Sequence, residues 1–408
     1  MKKSKNSFLI SISLLLFLGF LFSSCNNDGN KEKSSDQNKK NDSVADDPFL
    51  AHYPEKAGMI LLTDRPPQLE TPLKVLRKDI TPNESFFVRW HLSNILKEID
   101  IDTFHLVIDG DVDKPLSLTM NDLKTKFKPC SIIALAECAG NSRSLFKPQV
   151  PGSQWVNGGM GNAEWKGVKV KDILEMAGVK KDAVDISFDG LDEGPLPGVP
   201  DFVKSLSVAH AMDDEVMIAY QMNGKDIPML NGFPLKLVVP GWYATYWVGA
   251  LHKIEVLNKP FDGFWMKKAY VIADNPQGNE KPDSLSKKVV PVTTLALHSI
   301  FVEPEPNDVV PSGKPCLVEG LAFDCGKGIT KVELSLDSGK TWIDSKLDPE
   351  IAKYSWRRWR YNWTPSTAGT YHLKVKATNA TGETQSVSQW NRSGYGRTVI
   401  ETLDVTVK

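Results

Sequence analysis

One short run of the chain, Ala136-Glu137-Cys138-Ala139-Gly140-Asn141-Ser142-Arg143, brings a thiol, a glycine-asparagine turn and a guanidinium close together. Cys138 follows the apolar stretch Ser131-Ile132-Ile133-Ala134-Leu135-Ala136 and precedes Arg143 by five residues. That arrangement suits a low-pKa thiolate facing anions. Cys130, eight residues earlier, supports a different reading, a structural disulfide or a buried thiol of the kind found in exported proteins. The chain has 5 cysteines in 408 residues, with no Cys-x-x-Cys pair and no Cys-x-x-Cys-His. Zinc ribbons, ferredoxin clusters and covalently attached haem are therefore not expected. Lys and Arg number 49 against 50 Asp and Glu, a formal charge of -1, so no whole-chain field favours nucleic acid or an anionic membrane.

Such a turn needs a rigid frame, and the length allows two to three domains at roughly 150 residues each. Phe104-His105-Leu106-Val107-Ile108 reads as a strand ended by Asp109-Gly110, and Ser131 to Ala136 as a buried strand. Val168 to Ala177 has helical spacing and a Gly178 stop. Strands are also expected at Ala183 to Phe188, at Ala219 to Met222 running into the Asn223-Gly224 turn, at Phe233 to Val239 and at His252 to Leu257. This is an α+β pattern. The polar stretch Asn275 to Lys288 reads as a linker. Beyond it Cys316 to Phe323, Lys331 to Leu336 and Thr370 to Ala377 are strand-like, with turns at Asp337-Ser338-Gly339 and Asn379-Ala380-Thr381-Gly382, which suggests a β-sandwich.

At the N-terminus, a basic Met1-Lys2-Lys3-Ser4-Lys5, an apolar Phe8 to Phe22 and Leu21-Phe22-Ser23-Ser24-Cys25 resemble a bacterial lipoprotein signal. The resemblance implies a signal peptide over residues 1–25, lipidation at Cys25 and export to the periplasmic side of a bacterial envelope. Residues 26–48, rich in Asn, Lys, Ser and Asp, are expected to form a disordered polar tether.

The segment around Cys138 resembles the molybdopterin domain of the sulfite oxidase family, in which the cysteine of Cys-Ala-Gly-Asn is the one protein sulfur on molybdenum. Other blocks match in the same order. They are Phe86-Phe87-Val88-Arg89-Trp90-His91, Gln154-Trp155, Asn162-Ala163-Glu164-Trp165-Lys166-Gly167-Val168, Phe188-Asp189-Gly190-Leu191-Asp192, and Gly232-Phe233-Pro234-Leu235-Lys236-Leu237-Val238-Val239-Pro240-Gly241. The tail, with Ser335-Leu336-Asp337-Ser338-Gly339-Lys340-Thr341-Trp342 and Gln389-Trp390-Asn391, resembles the family's immunoglobulin-like dimerisation domain. The implied organisation is a mixed α/β molybdopterin-binding catalytic domain over residues 49–285 and an immunoglobulin-like β-sandwich over residues 286–408.

The resemblance further implies a molybdenum–molybdopterin cofactor (Mo-MPT), no haem in this chain, and Cys138 as the metal ligand, a soft donor suited to an electron-rich metal. Arg89 and Arg143 are the implied substrate cations, because a planar, permanently charged fork matches an oxyanion better than an ammonium does. Trp155 is implied in the substrate pocket, and Tyr270 is implied near the reactive oxygen. Phe87, Arg89, His91, Asp192, Asn231 and Lys236 are implied to hold the cofactor. Two departures stand out: Gly249 follows Val248 where the family has lysine, and Ser393 occupies a position that is arginine in animal members. Arg397 in Gly394-Tyr395-Gly396-Arg397 is taken as the substitute, with Arg392 its rival. The run Trp356-Arg357-Arg358-Trp359-Arg360 is assigned to packing on a sandwich strand, not to nucleic acid.

The implied activity is oxidation of sulfite to sulfate by an exported enzyme. Electrons would pass to a separate carrier such as a cytochrome, the chain would be a homodimer, and the membrane would be touched only through the N-terminal lipid. The alternatives are a molybdenum reductase of nitrate or sulfoxides, and a decayed, non-enzymatic surface lipoprotein.

Overall fold

The computed structural model describes residues 53–387 and 389–408. The signal segment 1–25 with Cys25, and the tether 26–48, lie outside the described residues. No helix among the described residues is long and apolar enough to cross a membrane.

Two five-stranded sheets form the frame of the first domain. In one, the strand Cys130–Glu137 pairs along its whole length with Met160–Lys169, which pairs with Met217–Met222, and that strand carries both Lys225–Asp226 and Lys236–Val238. In the other, Leu116–Thr119, His105–Gly110, Leu251–Leu257, Asp185–Gly190 and Val203–Ser207 lie side by side, antiparallel except for the central pair His105–Gly110 and Leu251–Leu257. A small antiparallel sheet of Ile60–Asp64, Pro67–Glu70 and Val88–Arg89 completes the frame. The buried faces of these sheets share one hydrophobic core.

The expected helix begins two residues late. Val168 and Lys169 remain in the ladder opposite Ile218 and Met217, so the helix is Val170–Ala177. Gly178 ends it as expected: at φ 72° it donates to the Leu174 and Glu175 carbonyls, a left-handed cap that strains any side chain. A second helix, Met120–Lys126, starts on a capping box in which Thr119 and Asp122 satisfy each other's backbone donors. The Thr-x-x-Asp spacing was there to be read in the sequence.

The polar stretch Asn275 to Lys288 is the loop of a hairpin, because Val289–Pro291 pairs back onto Val271–Ala273. Val292 and Leu295 still belong to the first core, and the second core begins at Leu297. Two sheets then face each other. His298–Glu303, Cys316–Phe323, Arg357–Trp363 and Lys346–Leu347 form one. Val309–Val310, Glu401–Val407, Gly369–Asn379, Ile329–Ser335 and Ile343–Asp344 form the other. Trp359, Trp363, Leu334, Val375 and Leu403 fill the space between them.

The basic-aromatic run is packing. Trp356 and Trp359 are fully buried, and Arg358 reaches Glu319 within the sandwich and the Leu76 carbonyl and Asp79 of the first domain. Cys130 and Cys138 are both free thiols. They flank the strand Cys130–Glu137, which spans about 26 Å at roughly 3.3 Å per residue, far beyond disulfide reach.

Candidate active site

Cys138 is the residue at which the chain leaves the buried strand Cys130–Glu137. The turn is fixed by backbone bonds: Cys138 N–H donates to the Gly159 carbonyl at 2.9 Å, and Asn141 N–H donates to the Cys138 carbonyl at 2.8 Å. The Asn141 side chain links the two arms, accepting from Gly159 N–H at 2.9 Å and donating to Glu137 Oε1 at 3.0 Å. Burial pushes the Glu137 carboxyl up to about 8. At neutral pH it is therefore protonated and adds no negative charge beside the thiol.

Arg143 folds back over this turn. Nε donates to the Ser393 carbonyl at 3.2 Å and Nη1 to the Ser153 carbonyl at 3.1 Å, and the guanidinium lies 5.0 Å from the Tyr395 ring centroid. The turn has room for it only because two neighbours are glycine: a Cβ on Gly140 would come within 2.4 Å of the guanidinium and one on Gly152 within 2.7 Å. The Gly-Asn turn and the buried arginine are one structural unit.

Arg89 ends the strand Val88–Arg89, and its Nη2 donates to the Tyr270 hydroxyl at 3.4 Å. The same hydroxyl shares a 2.6 Å hydrogen bond with His91 Nε2. The His91 ring stacks on Phe202 at 3.5 Å. Desolvation, reinforced by Arg89, Lys204 and Lys236, holds its pKa well below the ordinary value, so the imidazole is neutral. Burial raises the Tyr270 phenol, which stays protonated. Tyr270 and His91 thus form an uncharged donor–acceptor pair.

Two cavities meet at these residues. One encloses about 790 Å³ and is lined by Phe87, His91, Asp192, Asn231, Lys236, Thr245 and Gly249 among others. The other, about 530 Å³, is lined by Arg143, Gly152, Ser153, Ser393 and Tyr395. Arg89, Cys138 and Tyr270 border both and mark their junction.

In the larger cavity Asn231 Nδ2 donates to the Phe87 carbonyl at 2.9 Å. Burial brings Lys236 down to about 8 and Asp192 up to about 6. Gly249 leaves space at the position that is lysine in the family: a Cβ there would lie 2.8 Å from the Gly232 Cα and 3.7 Å from Lys236 Nζ.

These residues fit a cofactor that brings its own metal ligands. No group of three or more His, Cys, Asp or Glu side chains among the described residues could hold a metal unaided, so a metal at Cys138 would take its other donors from a bound group. The larger cavity supplies what such an anionic group needs: the Lys236 ammonium, the Asn231 amide, and a buried Thr245 Oγ1 with no hydrogen-bond partner.

Two expectations are corrected. Arg397 lines neither cavity. Its Nε donates to Glu401 Oε1 at 2.6 Å and its Nη2 to Oε2 at 3.2 Å, and Glu401 also holds His298 at 2.9 Å. The rival Arg392 is exposed and paired with Glu280. Ser393 and Tyr395 take the place in the cavity wall that a third cation was expected to fill, and Tyr395 stacks on Tyr270 at 5.2 Å. Trp155 is fully buried behind Phe87, ring centroids 6.2 Å apart, and also lines neither cavity.

Because Arg397 belongs to a buried ion network, Arg397→Gln is expected to cost about 3 kcal/mol of stability in denaturant unfolding, with substrate KM nearly unchanged. Burial alone would raise Glu401, but His298 and Arg397 hold it below the ordinary value near 4.5. The network's contribution is therefore present above that pH and lost as pH falls through the folded-state value. In the variant this acid-sensitive part of the stability curve should flatten.

Sequence reasoning missed two buried lysines. Lys56 donates to Asn231 Oδ1 at 2.6 Å and the Phe86 carbonyl at 3.1 Å, tying the Asn231 turn to the segment that carries Arg89. Lys204 donates to the Trp265 carbonyl at 2.8 Å and sits 5.0 Å from the Tyr270 ring centroid. Burial lowers each to about 7. No pattern around either residue distinguishes it from a surface lysine. Tyr395, flanked by Gly394 and Gly396, carried a weak signal, an aromatic between two turn-formers.

Residues 92–265 match the family model "Oxidoreductase molybdopterin binding domain", and residues 290–407 match "Mo-co oxidoreductase dimerisation domain". The chain is 32% identical over 347 residues to the mitochondrial sulfite oxidase of Homo sapiens, covering 82% of this chain and 61% of that protein. It is 29% identical over 368 residues to the sulfite oxidase of Gallus gallus, covering 86% of this chain and 78% of that one. Among solved structures, the sulfane dehydrogenase SoxCD from Paracoccus pantotrophus aligns with a TM-score of 0.72 at 26% identity, over 88% of this chain and 87% of that chain. Both domain models, the full-length structural likeness and the buried Cys138 at the junction of two cavities agree: the chain belongs to the sulfite oxidase family of molybdopterin-dependent oxidoreductases.

Proposed function

We propose that the protein oxidises sulfite to sulfate. The observation that carries this reading is a pair of guanidiniums, Arg89 and Arg143, in the wall of the smaller cavity with no carboxylate partner among the described residues. A buried cation left uncompensated is costly unless an anion completes it. Cys138 would ligate the metal, and Phe87, Arg89, His91, Asp192, Asn231 and Lys236 would hold the pterin and its phosphate. Bound there, the molybdenum cofactor supplies two-electron oxygen-atom transfer. Arg143 and Arg89 hold the dianion by charge-assisted bonds, and the Tyr270 hydroxyl, tied to neutral His91, offers a hydrogen bond at the junction.

The test compares sulfite-dependent reduction of ferricyanide with reduced-dye oxidation by nitrate and by methionine sulfoxide. Sulfite turnover is expected; turnover of only the reductive substrates would overturn the reading. In the same assay Tyr270→Phe should lower kcat about tenfold, the loss of one hydrogen bond of about 1.5 kcal/mol in the transition state, and leave KM close to wild type. A second oxidative reading is favoured by Tyr395 standing where a third cation was expected: a sulfane sulfur compound of lower charge density, the class named for the SoxCD neighbour. Persulfide or thiosulfate turnover exceeding that of sulfite would select it.

The wider reading is an exported enzyme, lipid-anchored through Cys25, with electrons leaving to a separate carrier such as a cytochrome. The C-terminal sandwich acts as an immunoglobulin-like dimerisation domain. A lipid-free form sedimenting as a homodimer supports that last assignment, through a self-complementary contact.

A further inference from the structure

We propose that the loop of residues 189–201, together with the turn at Phe264, is the docking face for the electron acceptor. The acceptor is a small redox protein, of the c-type cytochrome class, whose redox group is ringed by lysines. The proposal rests on the oxidative reading above. In that reaction sulfite and water give sulfate, two protons and two electrons. Each cytochrome takes one electron as its iron goes from ferric to ferrous, so two carriers must visit per turnover.

Three observations converge on this face. It is apolar where it meets solvent: Leu196 is 69% exposed, Val199 37% and Phe264 42%. Exposed large apolar side chains gathered in one place mark an interaction surface. The loop is also acidic, with Asp189, Asp192, Glu193 and Asp201 and no Lys or Arg between 189 and 201. His252 lies 4.0 Å from Asp189, and Lys253 is engaged by Asp109 and Glu255. The exposed Lys267 and Lys268 follow Phe264, so the negative field belongs to the loop side. An apolar centre with a rim of one sign fits a carrier whose apolar redox edge has a rim of the other sign.

The third observation is a continuous packed path inward. Trp265 donates its Nε1–H to the Pro200 carbonyl at 3.2 Å, which joins the turn to the loop. Its ring contacts Phe264 at 5.2 Å on the outside, and Phe202 and His91, each at 5.3 Å, on the inside. His91 is bonded to Tyr270, which borders Cys138 in both cavities. Aromatic rings therefore lead from the exposed face to the site. Phe202 and His91 line only the larger cavity, so the acceptor has a face separate from the smaller, arginine-walled cavity.

The test uses the holoenzyme with a lysine-ringed mitochondrial-type cytochrome c as probe. The variants are Leu196→Ser/Val199→Ser, which changes no charge, Phe264→Ser, and Glu193→Lys. Each should lower kcat/KM for the cytochrome on the order of tenfold while leaving sulfite oxidation by ferricyanide, which needs no docking face, within about twofold. Wild-type kcat/KM for the cytochrome should fall steeply as ionic strength rises from about 0.01 to about 0.1 M. Glu193→Lys should flatten that dependence.

Calorimetric titration with ferric cytochrome in the absence of sulfite reads docking without turnover. It should show binding to the wild type that the variants weaken. If no acceptor supports sulfite turnover, the oxidative reading fails, while this titration still decides the face. Wild-type affinity in all three variants, no binding by the wild type at low salt, or equal losses with ferricyanide and cytochrome would overturn the proposal. So would a shift of the wild-type dimer to monomer in the Leu196→Ser/Val199→Ser variant, which would give the face to a second copy of the chain.

Discussion

Cys138→Ser is expected to keep its fold and lose its activity. The turn around this residue is held by its N–H on Gly159, its carbonyl accepting from Asn141, and the Asn141 side chain bridging Glu137 and Gly159. None of these bonds involves the sulfur. A hydroxyl of similar size leaves the loop intact but replaces a soft, polarisable donor with a hard one. Removing merely an outer-shell partner of a metal site costs about 10–100-fold, so loss of the ligand itself should lower turnover by more than about 100-fold. The measurement is molybdenum and pterin content per chain by mass spectrometry and fluorescence, alongside steady-state rates and thermal unfolding. Wild-type turnover in the variant would remove Cys138 from the chemistry. Cys130→Ser is the control: burial raises its thiol pKa, it lies at the far end of the strand, and it should match wild type in metal content and rate.

Arg143→Gln should produce the second largest effect, and chiefly in KM. The guanidinium is 6% exposed, is held by two carbonyls, and faces the smaller cavity with no carboxylate among the described residues to neutralise it. A charge-assisted bond to a bound anion is worth about 1.5–3 kcal/mol, so KM for sulfite should rise about 10- to 100-fold with a smaller change in kcat. The penalty should shrink as salt screens the remaining field. Arg143→Lys restores the charge but not the planar fork that contacts both carbonyls, and should recover only part of the affinity. Equal losses in the two variants would show that geometry dominates. Full recovery by lysine would show that charge alone matters.

Much of this was legible before the fold. The strand Cys130–Glu137, the Gly178 cap and the Asn223-Gly224 hairpin follow from local alternation, helical spacing and turn chemistry. Those features act over a few residues, so they survive without tertiary context. The Cys138 turn is similarly self-contained: its asparagine closes the loop, and Gly140 admits the arginine three residues later. The linker and sandwich boundary were misplaced because a polar composition marks a hairpin loop as readily as a domain junction. Only the pairing of Val289–Pro291 with Val271–Ala273 distinguishes them.

The chain by itself determined the thiol, the two arginines, the cofactor class and the layered β-rich frame, since each is written in residues close together or in blocks whose order is preserved. Tertiary structure decided which side chains of one short C-terminal loop face the site. Arg392, Ser393, Tyr395 and Arg397 lie within six positions, yet Glu280 draws the first outward, Glu401 draws the last into the sandwich, and the middle two line the cavity. Trp155 turned behind Phe87, and Lys56 and Lys204 became buried, for the same reason. A long side chain's direction is set by which partner offers its charged or apolar end the lower free energy. Those partners are remote in sequence, here more than 100 positions away in the case of Glu280 and Arg392, and local pattern carries no information about them.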